Sequence, residues 1–431
     1  MALHEPTKDD LDALVRPYLD RVPAGVRMGF VIGYASPDFD PVGQLYFAGS
    51  DTANGTPMLY DQQGDDLPLN GDTIFEIASI TKTFTGTALC FQPRTQLSFP
   101  LGEIAQPPGL PYNPWCARQF REIPLSSLVN YTSGLPFDNT APKDQPDDLG
   151  NGPYNVAYMR LYLNNVPNGP PPAGLQPTGI GARYTYSNLA FAMVGATWTW
   201  AIPDIGLFMK AQLFDACGMS EQTTGFAGSN ESYFIPRGYN CHNFQPATHP
   251  SPVPAGWRLF PAYEPAGGIM ASGQGMMQWL LANMNYLPPN PNDSRRAPLE
   301  SAIDAAQTLW PSIPGVTDRA SGWFVGAMPG LSSRRFYFKD GRLGGATGFI
   351  AFESKDASGK SPAGVFVLCN AHRVGMSGAP AAAGAPQARE PTEAVIVIAQ
   401  KALSLIYGAA APTDDSAFVR TEGSEMDETV L

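Results

Sequence analysis

The sequence predicts an α/β chain of the α+β type: one antiparallel sheet built from both chain ends and flanked by helices, with a mainly helical lobe inserted. Three observations predict it. Runs rich in Val, Ile, Phe and Tyr occur near both termini, helix-type spacing dominates from about residue 80 to 325, and the 431 residues with 43% apolar character suffice for a large core.

At the N-terminal end, "TKDDLDALVRPYL" places Leu11, Leu14, Val15, Tyr18 and Leu19 at helical spacing, with Thr7 and Asp10 as a capping box. Pro17 is expected to kink this helix or limit its end. "VRMGFVIGYA" and "GQLYFAGS", separated by the turn-like "SPDFDPVG", read as two strands. At the other end "RRFYFKDG", "ATGFIAFES" and "AGVFVLCN" read as three more, and "PTEAVIVIAQKALSLIY" reads as a helix with Pro391 near its start. Between them "SNLAFAMVGATWTWAI" and "GQGMMQWLLANMNYL" carry helical periods. The expected division is a sheet domain from residues 1–79 and 326–407, a helical domain over 80–325, and an acidic tail over 408–431. The Ala/Gly/Pro-rich stretch 374–390 is expected to form a mobile lid near the pocket mouth.

Composition narrows the function. A net charge of -12 repels polyanions, which argues against nucleic acid and anionic membranes and for a small-molecule partner. No stretch approaches the roughly 20 apolar residues of a membrane span. The start "MALHEPTKDDLDALV" is acidic rather than basic and then apolar, so a cytoplasmic location is expected. The five cysteines, Cys90, Cys116, Cys217, Cys241 and Cys369, lack any Cys-x-x-Cys pair and read as free thiols. His-Glu-x-x-His, P-loop and dinucleotide fingerprints are absent, as is a Gly-x-Ser-x-Gly elbow. With only four histidines, a Ser/His/Asp triad is not favoured, and neither a metal nor an organic cofactor is expected.

Three short stretches carry candidate chemistry. In "FEIASITKTFTGTAL", Ser79 and Lys82 lie three apart, one helical face, so the amine reaches the serine oxygen. A lysine acts as base only when neutral, which demands enclosure or a second cation. In "ARYTYSNLAFAMVG", Tyr186 and Asn188 place a phenol beside an amide, a proton relay beside a carbonyl holder. In "YFKDGRLGGATGFIAF", Lys339-Asp340-Gly341 ends a strand before a Gly-rich run, exposing a cation at a strand edge with backbone N–H groups available for an oxyanion. Each also has a bland reading: a chance polar pair, a Tyr/Asn turn that introduces a helix, and a Gly-rich hairpin with a solvated lysine.

Taken together, in this order and spacing, and with "LSSLVNYTSGLP" and "PAGGIMASGQGMMQWLLANM", these stretches resemble the serine hydrolases of the class C β-lactamase and penicillin-recognising family, which includes the family VIII carboxylesterases. The resemblance spans most of the chain and implies the β-lactamase/transpeptidase-like fold. It implies Ser79 as nucleophile, Lys82 as general base, Tyr186 as proton relay and Asn188 as a contact of Lys82 and the acyl group. It further implies Lys339 as the added cation and the N–H groups of Ser79 and Arg342 as the oxyanion hole. Two departures stand out. The family's Lys-Thr-Gly reads Lys339-Asp340-Gly341, the alternative Ala346-Thr347-Gly348 supplying no cation; Asp340 sets a carboxylate where β-lactams present their own. After "TSGLP" the amide-recognising position falls on Asp138, or on Asn139 after a shift. Both lean toward a carboxylesterase on small neutral esters, with β-lactamase, D-amino-acid amidase or peptidase, acyltransferase and an idle binding protein as the rivals.

Overall fold

The structure, a computed structural model, describes residues 3–103, 120–135, 137, 179–198, 205–226, 235–240, 245–246, 261–288, 290, 293–313, 318–372 and 393–411. Helix α1 (Lys8–Leu19) carries the capping box between Thr7 and Asp10, and it continues two residues beyond Pro17, which therefore does not end it. Strands β1 (Gly29–Ala35) and β2 (Gly43–Gly49) follow, then the short strand β3 (Ile74–Glu76) and helix α2 (Thr81–Leu89). The central part contributes α3 (Asn188–Trp198), β4 (Thr224–Phe226), β5 (Ile269–Ser272), α4 (Gly273–Met284) and α5 (Arg296–Ala306). The chain then returns with β6 (Asp318–Arg319), β7 (Phe324–Met328), β8 (Leu331–Leu343), β9 (Ala346–Glu353) and β10 (Gly364–Cys369), and α6 (Ala394–Ile406) closes the described fold.

Seven strands form one sheet in the order β6-β7-β8-β9-β10-β1-β2, each neighbouring pair antiparallel. The first strands of the chain thus pair beside the last, as the apolar runs at both ends predict. Every residue of β1 and β10 is buried, because both faces of the sheet are covered. Phe30, Ile32, Val365 and Val367 pack toward α1 and α6, while Val31, Phe366 and Leu368 pack toward α4. Coverage on both faces explains why these strands read as continuous apolar runs rather than as alternating ones.

Beside this sheet, β3 pairs with β5, and β5 with β4. All nine residues of α2 are buried, including four threonines and Lys82. A β-branched, polar run of this kind is a poor isolated helix, and it persists because its hydroxyls find partners. Thr83 and Thr87 donate back to the carbonyls of Ile80 and Thr83, Thr85 donates to Pro265 O at 2.6 Å, and Thr81 accepts from the Ile269 N–H. Trp279 of α4 stacks on Phe84 at 3.9 Å between ring centres, and its indole N–H donates to Thr83 at 3.0 Å.

Beyond Phe338, β8 outruns its partner β7, and the freed edge receives the turn at Ile77–Ile80. Gly341 makes that approach feasible: a Cβ there would stand 2.3 Å from Ile77 O. Gly341→Ala is expected to cost about 1–3 kcal/mol through forced backbone displacement, read as a lowered denaturant midpoint. Glu76, at the end of β3, is enclosed by protein though part of its surface reaches solvent, and this burial pushes its carboxyl from 4.5 up to about 7. The folded chain then holds a proton that the unfolded chain has released, so stability falls as pH rises from about 4.5 to about 7 and levels off above. Urea melts of wild type and Glu76→Gln across that window check this. The variant loses that part of the slope and is the more stable protein at about pH 8.

Candidate active site

Strand β3 delivers the chain into a 3-10 turn, Ala78–Ile80, and only then into α2. Ser79 therefore sits on the turn and Lys82 in the first turn of the α-helix, rather than both on one α-helix. Residues three apart eclipse in a 3-10 turn, so the predicted reach survives. Ala78 holds a φ of 48°, a left-handed conformation costly for a residue with a Cβ, one residue before the candidate nucleophile.

Lys82 Nζ lies 2.8 Å from Ser79 Oγ, 2.7 Å from Asn188 Oδ1 and 2.7 Å from Ala266 O. Ser79 keeps 9% of its surface exposed and Lys82 none, so the oxygen is reachable while the amine is enclosed. Two of these oxygens can only accept. A neutral amine donates its two N–H bonds to Asn188 and Ala266 and offers its lone pair to the Ser79 O–H; once it takes that proton, all three oxygens accept from it. The same positions accommodate Lys82 before and after proton transfer.

The Tyr186 hydroxyl donates to Ser79 Oγ at 2.8 Å, and its ring centre stands 5.0 Å from Lys82 Nζ and 5.3 Å from Lys339 Nζ. Asn188 is the first residue of α3, whose N-terminus is capped by Ser187 through the Ala190 N–H. The N–H groups of Asn188 and Leu189 both donate to Phe137 O, which fixes the Tyr186–Asn188 segment against the loop that follows Tyr131.

Lys339 departs from the sequence expectation. Instead of ending a strand with an exposed ammonium, it lies within the thirteen-residue β8 and is 1% exposed. The strand continues to Leu343, which pairs with Ala346 across the two-residue turn Gly344–Gly345. Lys339 Nζ donates to Asp340 O at 2.6 Å and to Asp340 Oδ1 at 2.9 Å, and Arg342 Nε stands 3.8 Å from Asp340 Oδ2. Asp340, 28% exposed, thus turns part of its carboxylate outward while it neutralises the lysine beneath. The field that Lys339 exerts toward Lys82 is correspondingly reduced.

The structure brings together Ser79, Lys82, Tyr186 and Asn188, with Lys339, Asp340, Gly341 and Arg342 on the adjoining strand edge. Asp138, Asn139 and the stretch 374–390 lie outside the described residues. Sequence reasoning missed Ala266 as a partner of Lys82, because a backbone carbonyl has no side-chain signature. It also missed the aromatic surroundings of Tyr186. Among the described residues no cluster of His, Cys, Asp and Glu suits a metal, and no helix is long and apolar enough to cross a membrane.

Comparison with known proteins bears on this geometry. A family model described as Beta-lactamase matches residues 48–388. Among solved structures, the D-alanine carboxypeptidase AmpC from Burkholderia cenocepacia shares the fold at a TM-score of 0.61 and 19% identity, over 92% of this chain and 98% of that one. A class C beta-lactamase aligns at a TM-score of 0.64 and 17% identity, over 92% of this chain and 95% of its own. The class C beta lactamase from Rhodobacter sphaeroides aligns at 0.57 and 18% identity, over 84% and 94%. No curated protein matches the chain. A family match that spans most of the sequence, joined to the shared fold, places this chain in the beta-lactamase family of serine hydrolases.

Proposed function

We propose that the protein is a carboxylesterase that hydrolyses small neutral esters through an acyl-enzyme at Ser79. The observation that carries the mechanism is the convergence of Lys82 Nζ and the Tyr186 hydroxyl on Ser79 Oγ, each at 2.8 Å. Neutral Lys82 takes the Ser79 proton as the oxygen attacks the ester carbonyl. Tyr186 gives its proton to the departing alcohol and regains from Lys82 the one that Ser79 gave up, so Lys82 is again neutral and the enzyme has lost one proton to the alcohol. In the second half, water attacks the acyl-enzyme, its proton passes to Tyr186 and Lys82, and one returns to Ser79 Oγ as the acid departs. The backbone N–H groups of Ser79 and Arg342 are assigned to the carbonyl oxygen as it becomes negative. Asn188, with its oxygen on Lys82, holds the amine in line.

The substrate class rests on Asp340. A carboxylate-bearing ligand at this strand edge meets a buried lysine already paired and a partly exposed like charge a few Å away. The structural neighbours named as a class C beta-lactamase and a D-alanine carboxypeptidase favour the second reading, turnover of a lactam or D-amino-acid substrate.

Purified full-length protein assayed with p-nitrophenyl acetate, p-nitrophenyl butyrate and nitrocefin separates these readings: esters are expected to turn over faster, and far faster nitrocefin turnover overturns the ester assignment. A fluorophosphonate probe should label the wild type and not Ser79→Ala. Lys82→Ala is expected to lower kcat for the butyrate ester by about 10²–10⁴. Asp340→Asn, which removes the charge at constant shape, should raise the nitrocefin-to-butyrate ratio of kcat/KM roughly tenfold.

A further inference from the structure

Tyr186 must hold a phenol at a fixed distance from Ser79, yet it lies in the loop before α3 and is only partly buried. What fixes it is a column of four rings. Phe137 stacks on Tyr186 at 5.8 Å, Tyr186 on Tyr131 at 5.6 Å, and Tyr131 on Phe324 at 4.8 Å, with interplanar angles of 26°, 16° and 17°. Tyr131 is the inner ring of this column and is 1% exposed.

Tyr131 is tied at two further points. Its carbonyl accepts from the Thr185 N–H at 2.8 Å, one residue before Tyr186. Its hydroxyl donates to Gly322 O at 3.0 Å, and burial holds that phenol far above the usual tyrosine value, so it remains a donor. Gly322 in turn donates to Val129 O and packs on the backbone of Lys82, where a Cβ would stand 2.2 Å from the Lys82 carbonyl oxygen. The backbone of Tyr131 adopts φ 61°, an outlier for a bulky residue that persists only when its surroundings over-determine it. In that conformation one residue delivers its carbonyl to Thr185, its ring to Tyr186 and its hydroxyl to the turn beneath Lys82.

We propose that Tyr131 is a positioning residue: it sets the Tyr186 phenol against Ser79 by clamping the ring in a stack anchored on the turn that packs against Lys82. The proposal rests on the relay role of Tyr186. A displaced relay oxygen loses the near-attack geometry on which proton transfer depends, so the cost falls on turnover rather than on binding.

A double-mutant cycle on the full chain tests it, with p-nitrophenyl butyrate as substrate and thermal unfolding as the control for folding. Tyr131→Leu removes the ring and is expected to lower kcat about 10- to 100-fold with KM within about twofold. Tyr131→Phe keeps the stack and should stay within about threefold of wild type. In a Tyr186→Phe background, Tyr131→Leu should cost no more than about a further twofold, because the group it acts through is gone. Unchanged kcat in Tyr131→Leu, or an undiminished loss in the Tyr186→Phe background, overturns the positioning role alone. Full activity in Tyr186→Phe overturns the relay role, and the positioning role with it. Should Tyr131→Leu fail to fold, Phe324→Leu, which removes the ring behind Tyr131, enters the same cycle, and a loss independent of Tyr186 overturns the proposal.

Discussion

The architecture turns on one enclosed amine. Lys82 has no exposed surface, and a buried amine without partners is among the costliest groups a fold can carry. Its oxygens come from its own turn, from Asn188 at a separation of 106 residues and from Ala266 at a separation of 184. The sheet-side turn, the head of α3 and the segment before β5 must therefore meet at one point. The polar centre is held by the same convergence that gives it chemistry.

Close backbone approaches seat the Ser79 turn and α2 against their neighbours. Gly341 lets β8 touch Ile77, Gly322 lets its turn touch Lys82 and Thr83, and Gly86 lets α2 pass within contact of Ser321. Side chains at these places would push α2 and the turn before it away from β8 and from the Ser321–Gly322 turn. The threonines of α2 serve the same end, since their short side chains permit tight packing while their hydroxyls bond to neighbouring backbone. Around this core the rings of Phe137, Tyr186, Tyr131 and Phe324 supply a rigid wall, large in contact area and with few rotatable bonds.

Electrostatics at the neighbouring strand edge turn on a second buried lysine. A lone Lys339 ammonium beside Ser79 would attract a carboxylate; here it is paired with Asp340 at 2.9 Å, whose other oxygen stands 3.8 Å from Arg342, so the carboxylate lies between two cations. Lys339 thereby lies next to the Tyr186 ring as a paired rather than a lone cation.

The sequence by itself determined the main strands and helices and the local spacing of Ser79 and Lys82. Apolar runs in β1, β9 and β10 follow from burial on both sheet faces, the capping box of α1 is a local interaction, and the Ser79–Lys82 spacing is local geometry that either a 3-10 turn or an α-helix satisfies. The placement of Tyr186 and Asn188 beside that pair was legible only through the resemblance to a known family. Only the tertiary structure decided the rest. Whether Lys339 is an exposed cation or a buried, paired one depends on how far β8 runs and what packs on its edge. The contact of Ala266 rests on a carbonyl that every residue possesses, and the ring stack around Tyr131 on side chains brought together from three separate segments. Contacts between distant segments and backbone groups leave no periodicity in a sequence, so their meaning appears only when the chain has folded.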